Sequence, residues 1–166
     1  KGIVFTEFLD LVEAKFGLET VDEIIEKSDL KSKGVYTSIG TYDFSEMLSL
    51  ITNLSEKTNI SIHDLLYTYG LHFFKVLKES YPKIISNYNS PIELLSSIDS
   101  HIHVQVRKIY PDAELPKFDV TEKKENSITL IYSSSRSMYA FALGLIEKTF
   151  HHFSKNAKVT YDLINK

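Results

Sequence analysis

Cysteine is absent from this chain. Its absence removes disulfides, thiolate metal sites and thiol-linked cofactors together, so any metal or cofactor must be held by His, Tyr, Met or carboxylate side chains. Long apolar runs are missing too. No segment reaches the ~18 uninterrupted apolar residues of a membrane span, and the N-terminus carries no signal-peptide pattern. A soluble, cytoplasmic domain without membrane contact is expected. Basic charge is not in excess: a formal net charge of −3 and a pI near 6.1 give no electrostatic reason for nucleic acid. Lys75, Lys78 and Lys83 read as solvated helix faces. A glycine-rich phosphate loop, a nucleophile elbow and a metal-ligand cluster are also lacking. Ser133, Ser134 and Ser135 have no recognisable histidine and acid partners, which leaves an enzyme as the class with least support. Neither an internal repeat nor a low-complexity tract occurs.

What remains has a globular composition, 43% hydrophobic and 25% charged, which argues against disorder. Its 166 residues fit one domain, residues 1–166, large enough for a core and an internal ligand. Apolar residues at three and four spacing predict a first helix ending at Gly17 and a short one from Thr20 to Lys27. Residues 29–42 read as a loop, after which Asp43 or Ser45 caps a helix carrying Leu48, Ile51 and Leu54. Ser61 starts an aromatic-rich helix, and Pro91 opens one predicted to run unbroken through Ile109. The texture then changes. Residues 111–126 hold two prolines and a charged TEKKEN turn, followed by a strand over 127–134, a helix from about 137 to 153 and a strand over 157–164. Helices first and strands later argue for an α+β fold with an antiparallel sheet. The ending, Ile164, Asn165, Lys166 directly after a strand-like run, reads as cut rather than finished.

Tyr132, Ser134 and Arg136 occupy every second position of the otherwise apolar run SITLIYSSSRSMYAF. Alternate residues of a strand share a face, so a phenol, a hydroxyl and a guanidinium are predicted to point one way. Such a row suits a ligand with two carboxylates: Arg grips one bidentately while the hydroxyls donate to the other oxygens. The competing account is a solvated strand face.

Of the six histidines, His151 and His152 are read as favourable charges at a helix C-terminus. His63 is expected to be exposed and His72 to be partly buried and hydrogen-bonded. His101 and His103 flank the apolar stripe of the Pro91 helix on opposite edges, and periodicity does not choose between them. Their spacing of two points the rings apart, which disfavours a helix-borne pair of metal ligands.

His103 stands seven residues before Tyr110, two turns along one helical face, within HVQVRKIYPDAELP; the Tyr-x-Ser-x-Arg run follows about thirty residues later. In order, spacing and length these features resemble the haem-nitric oxide/oxygen binding family (H-NOX or HNOB), which includes the haem domain of soluble guanylate cyclase and bacterial gas sensors. The segments KGIVFTEFL, SEKTN and FALGLIE extend the likeness over most of the chain. The resemblance implies an α+β fold with a helical N-terminal half, an antiparallel-sheet C-terminal half and haem b (iron protoporphyrin IX) between them. It implies His103 as the proximal iron ligand, Tyr132, Ser134 and Arg136 on the propionates, and Pro116 pressing on the macrocycle. Val4, Phe8, Phe73, Phe74, Leu77 and Leu145 are implied to surround the haem, with ordinary core packing as the competing account for each. Elementary chemistry agrees, because haem presents a large apolar face and two carboxylates and so needs an apolar cleft with a cationic, hydroxyl-rich edge.

Oxygen bound to ferrous haem carries partial negative charge and is stabilised by a hydrogen-bond donor, whereas nitric oxide and carbon monoxide depend on one much less. Oxygen-holding members of the family supply that donor from a distal tyrosine, and the matching position here is Phe141. Tyr139 points roughly 160 to 200 degrees away from it on a helix. The resemblance therefore implies a sensor of nitric oxide and carbon monoxide that excludes oxygen, unless His72 or Tyr69 supplies the donor. Nitric oxide is implied to weaken and release His103, moving the helical half against the sheet half. Asp99, one turn before His103, is placed to tune that helix, with a solvated carboxylate as the favoured account. The likeness to clostridial sensors implies a downstream effector such as a methyl-accepting chemotaxis receptor region. The alternatives are an electron-transfer or haem-carrier domain, with His72 as second axial ligand, and a cofactor-free module whose Tyr132 to Arg136 row binds a partner's phosphate or carboxylate.

Overall fold

Local signals start and stop the N-terminal helices. The computed structural model describes residues 1–136 and 138–164. Helix α1 (Gly2–Phe16) ends at Gly17, whose φ of 90° lies where glycine is favoured, and the same residue opens α2 (Leu18–Lys27). Asp43 caps α3 (Phe44–Thr58) by accepting from the Ser45 amide, and Asn59 ends it in the left-handed conformation. Ser61 accepts from the Asp64 amide to start α4 (Ile62–Ser80). A short α5 (Pro82–Ser86) follows. Ser90 caps α6 (Pro91–Ser96), with Pro91 in its first turn.

The helix predicted to run from Pro91 through Ile109 is interrupted. A π-turn spans Ile98–Ile102, with the Ile102 amide donating to the Ser97 carbonyl, before α7 (His103–Ile109) resumes the α ladder. The wider turn holds an extra residue and shifts the phase of everything after it. A wheel drawn at 3.6 residues per turn consequently misplaces residues beyond Ile98, which is why periodicity left His101 and His103 undecided. In the structure His103 is buried, 8% exposed, and His101 is exposed.

Among the described residues two strands make the sheet, β1 (Lys117–Lys123) and β2 (Ile128–Ser133), paired antiparallel with Phe118 opposite Tyr132 and an irregularity between Val120 and Glu122. Half of the predicted TEKKEN turn is therefore strand. Glu122 and Lys123 lie on the exposed length of β1, where charge keeps an edge strand soluble. Helix α8 (Tyr139–His152) follows; its predicted start at about residue 137 lies outside the described residues, as do Asn165 and Lys166. The predicted strand over 157–164 is not formed. Those residues are exposed and irregular, because alternation alone makes no strand without a hydrogen-bonded partner. The α+β class holds, with a smaller sheet than expected.

The main core joins α1 to α4 with α8 around Phe8, Leu50, Leu54 and Tyr69. A second cluster, Phe74, Ile85, Leu94 and Leu95, receives Ile128 and Leu130 from the hairpin. Helices α4 and α8 cross backbone to backbone. A Cβ on Gly70 would collide with the Phe141 carbonyl oxygen, and one on Gly144 with that of Tyr67. Below the core, Glu46 is a buried carboxylate that accepts from Ser32 and Tyr36 and so pins the 29–42 loop to α3.

Candidate functional site

His103 opens α7 directly after the π-turn. Its Nδ1 lies 3.1 Å from Asp99 Oδ1, one turn earlier. An ionised carboxylate can only accept, so Nδ1 carries the proton and Nε2 keeps a free lone pair. Burial lowers the pKa of the imidazole, and Asp99 opposes the shift. A neutral ring with an available Nε2 is the form that binds a metal. Asp99 is not the solvated carboxylate expected from sequence: its second oxygen accepts from the Phe118 amide at 3.0 Å.

Phe118 connects the site. Its ring centroid is 6.1 Å from that of His103 and 5.2 Å from that of Tyr132, its partner across the hairpin. Burial pushes the Tyr132 phenol up, against hydrogen bonding to Ser134 and the Met138 backbone. Strand β2 ends at Ser133, so the predicted strand face covers Tyr132 alone. Ser134 and Arg136 lie in the turn that follows, where the Arg136 amide donates to Ser134 Oγ at 3.1 Å. A serine-centred turn, rather than a period of two, brings their side chains to the same region.

Arg136 donates from Nη2 to Glu114 Oε2 at 2.9 Å, and its guanidinium carbon sits 5.1 Å from the centroid of the Phe44 ring on α3. Lys117, Ser134 and Arg136 share an open hollow of about 360 Å³ with Glu114 and Leu115. A hollow edged by two cations and hydroxyls suits carboxylates, and Arg136 already holds one from its own chain. Pro116 is half-buried in the segment leading into β1.

The apolar candidates divide between the cores. Phe8 and Phe73 are buried in the main one, with Val4, Phe141, Leu77 and Leu145 packed against them; Phe74 belongs to the second, where Leu77 and Leu145 also pack. Neighbouring residues on a helix diverge by about 100°, so Phe73 and Phe74 face different groups. Phe141 meets Tyr69 at 5.2 Å and Phe73 at 5.6 Å between ring centroids. Tyr139 faces elsewhere, against His63 and Tyr161.

The remaining histidines differ from expectation in three places. His63 is half-buried under Tyr139 rather than exposed. His72 Nε2 is buried without a hydrogen bond among the described residues, and Glu7 stands off at 3.7 Å. His152 packs on Phe74, and burial together with Lys78 lowers its pKa, which opposes the charged form a helix end would favour. Sequence reasoning missed Phe118, Glu114 and the phenol pair Tyr81–Tyr110, whose hydroxyls lie 2.6 Å apart. Their contacts span 14 or more residues and leave no local signature. No group of three or more His, Asp or Glu able to hold a metal ion occurs among the described residues.

A family model described as Haem-NO-binding matches residues 1–161. The H-NOX protein from K. algicida, solved in its Fe(II) unliganded state, is 62% identical, with 100% of this chain and 90% of that one covered and a TM-score of 0.98. An H-NOX protein from S. oneidensis, solved in the Fe(II)NO ligation state, is 29% identical with a TM-score of 0.91, and 98% of this chain and 90% of that one are covered. Soluble guanylate cyclase 89Db of Drosophila melanogaster is 24% identical over 155 residues, 92% of this chain and 23% of that protein. The chain thus spans less than a quarter of that relative's length.

Proposed function

The chain belongs to the Haem-NO-binding family, a family of haem-based gas sensors, and on that premise we propose that it senses nitric oxide and carbon monoxide at ferrous haem b held by His103, and excludes oxygen. The observation that carries this reading is the buried His103 ring, with Nδ1 committed to Asp99 and Nε2 left as the lone-pair nitrogen. When bound, haem supplies a ferrous iron that coordinates diatomic gases. The chain's own residues do the rest. His103 offers one nitrogen to the iron, Arg136, Ser134 and Tyr132 hold the two propionates, and Pro116 bears on the macrocycle. Val4, Phe8, Phe73, Phe74, Leu77 and Leu145 keep water from its apolar faces.

Oxygen exclusion follows from the donors around Phe141. Phenylalanine has none. The Tyr69 hydroxyl, buried beside it, donates its only proton to the Val4 carbonyl. His72 lies 3.7 Å from Glu7 of α1. With His103 as the residue that would hold the iron, loss of that hold would free α7 to move against the helical half, and that movement would be the signal. The domain is a sensor and not itself catalytic; its effector is proposed to be a methyl-accepting chemotaxis receptor region. Among the described residues no helix is long and apolar enough to cross a membrane.

Absorption spectra of the haem-loaded ferrous protein under argon, in air and with nitric oxide test this reading. A five-coordinate spectrum unchanged by air and converted by nitric oxide to another five-coordinate form is expected. A stable change in air overturns oxygen exclusion, and a six-coordinate spectrum under argon overturns single-histidine ligation.

A further inference from the structure

We infer that Asp99 is a positioning residue that aims His103 and ties the imidazole to the sheet. The inference rests on the sensor reading above. A carboxylate has two acceptor oxygens, and Asp99 uses one on each side: Oδ1 takes the Nδ1 proton of His103, and Oδ2 takes the Phe118 amide. The first bond fixes the ring's tautomer and the direction of Nε2. A carboxylate hydrogen-bonded to a ligating imidazole also raises its basicity toward the metal. The second bond binds the same side chain to β1. Half of the amides of a two-stranded sheet point away from the partner strand; that of Phe118 does so, and Asp99 satisfies it.

The π-turn gives this side chain its place. Asp99 lies inside it, and the turn delivers His103 to the buried side of the helix with Asp99 one turn below. Any rotation of the imidazole pulls on a carboxylate that also holds the first residues of β1. Across that strand, Phe118 pairs with Tyr132. Two short links thus join the proposed iron ligand to the proposed propionate strand, one through Asp99 and one through the Phe118 ring.

Asp99→Asn separates the two tasks with little change of shape. An amide has one acceptor oxygen, so it serves His103 or Phe118 but not both. Resonance Raman of the ferrous haem-loaded protein and hydrogen exchange at the Phe118 amide are the readouts. The variant is expected to lower the iron–imidazole stretching frequency, to weaken haem binding about tenfold and to speed Phe118 exchange. In the wild type, nitric oxide is expected to alter Phe118 exchange, and in the variant that response disappears. Wild-type stretching and exchange in Asp99→Asn overturn the role of Asp99 alone. A wild-type chain that takes up no haem overturns the sensor reading and this inference with it.

Discussion

The helical half and the hairpin region are held by different balances of packing and polar bonding. Around Leu50 and Tyr69, both 0% exposed, the helices are fixed by dense apolar burial and by a crossing with no side chains in it. Around His103 the turn and the hairpin share only the smaller apolar cluster, through Ile98, Ile102, Ile128 and Leu130, and individual polar bonds are added to it, Asp99 to His103, Asp99 to Phe118 and Tyr81 to Tyr110. Dense packing resists small displacements, whereas a few hydrogen bonds can be exchanged one at a time. In the proposed sensor, a conformational signal would start where polar bonds supplement a small apolar cluster.

The sharpest way to break this contrast is from the packed side. Leu50→Ala is expected to cost about 2–5 kcal/mol, measured by denaturant unfolding. Tyr69→Phe removes one buried bond between α4 and the Val4 carbonyl and is expected to cost about 1–2 kcal/mol. On the hairpin side, Tyr110→Phe breaks the phenol pair joining the ends of α7 and α4 at about 1 kcal/mol. Its larger effect is faster amide exchange in α7 than in α3. Glu114 is 73% exposed, so Glu114→Gln is expected to change stability by a few tenths of a kcal/mol, read in the same denaturation assay.

Acid bears on stability by another route. The pKa values of His103 and His152 lie below the ordinary histidine value in the folded chain, so the unfolded chain takes up protons first as pH falls. Their contribution to stability is full above about 6.5, the unfolded value, and is lost as pH falls through the lower folded values. Unfolding of the haem-free chain at pH 7.5 and 5.5 should show the loss. A His103→Asn variant should show less of it.

Much of this was legible in the chain. Gly17, Asp43, Ser61 and Pro91 carry their start and stop signals within a few residues, and such signals read directly from sequence. The π-turn did not, because its extra residue goes with a tertiary bond from Asp99 to Phe118, 19 residues away. Strand β1 was hidden by its charges, which suit an exposed edge and resemble a loop. The alternation over 157–164 was real, but a strand also needs a neighbour. For the site, the residues themselves offered two histidines, and only the family resemblance singled out His103. The part played by Phe118 depends on pairing across the hairpin and had no local trace.

The contact between Gly70 and Gly144 acts as a ruler. Where two helices meet through side chains, their separation can drift as one residue type replaces another. Here the spacing equals the thickness of two backbones, the smallest value available, and even a methyl group would force the helices apart. Phe141, whose own carbonyl abuts Gly70, therefore projects from a surface at a set distance. Differences in what fits beside it must come from the size and polarity of that ring and its neighbours.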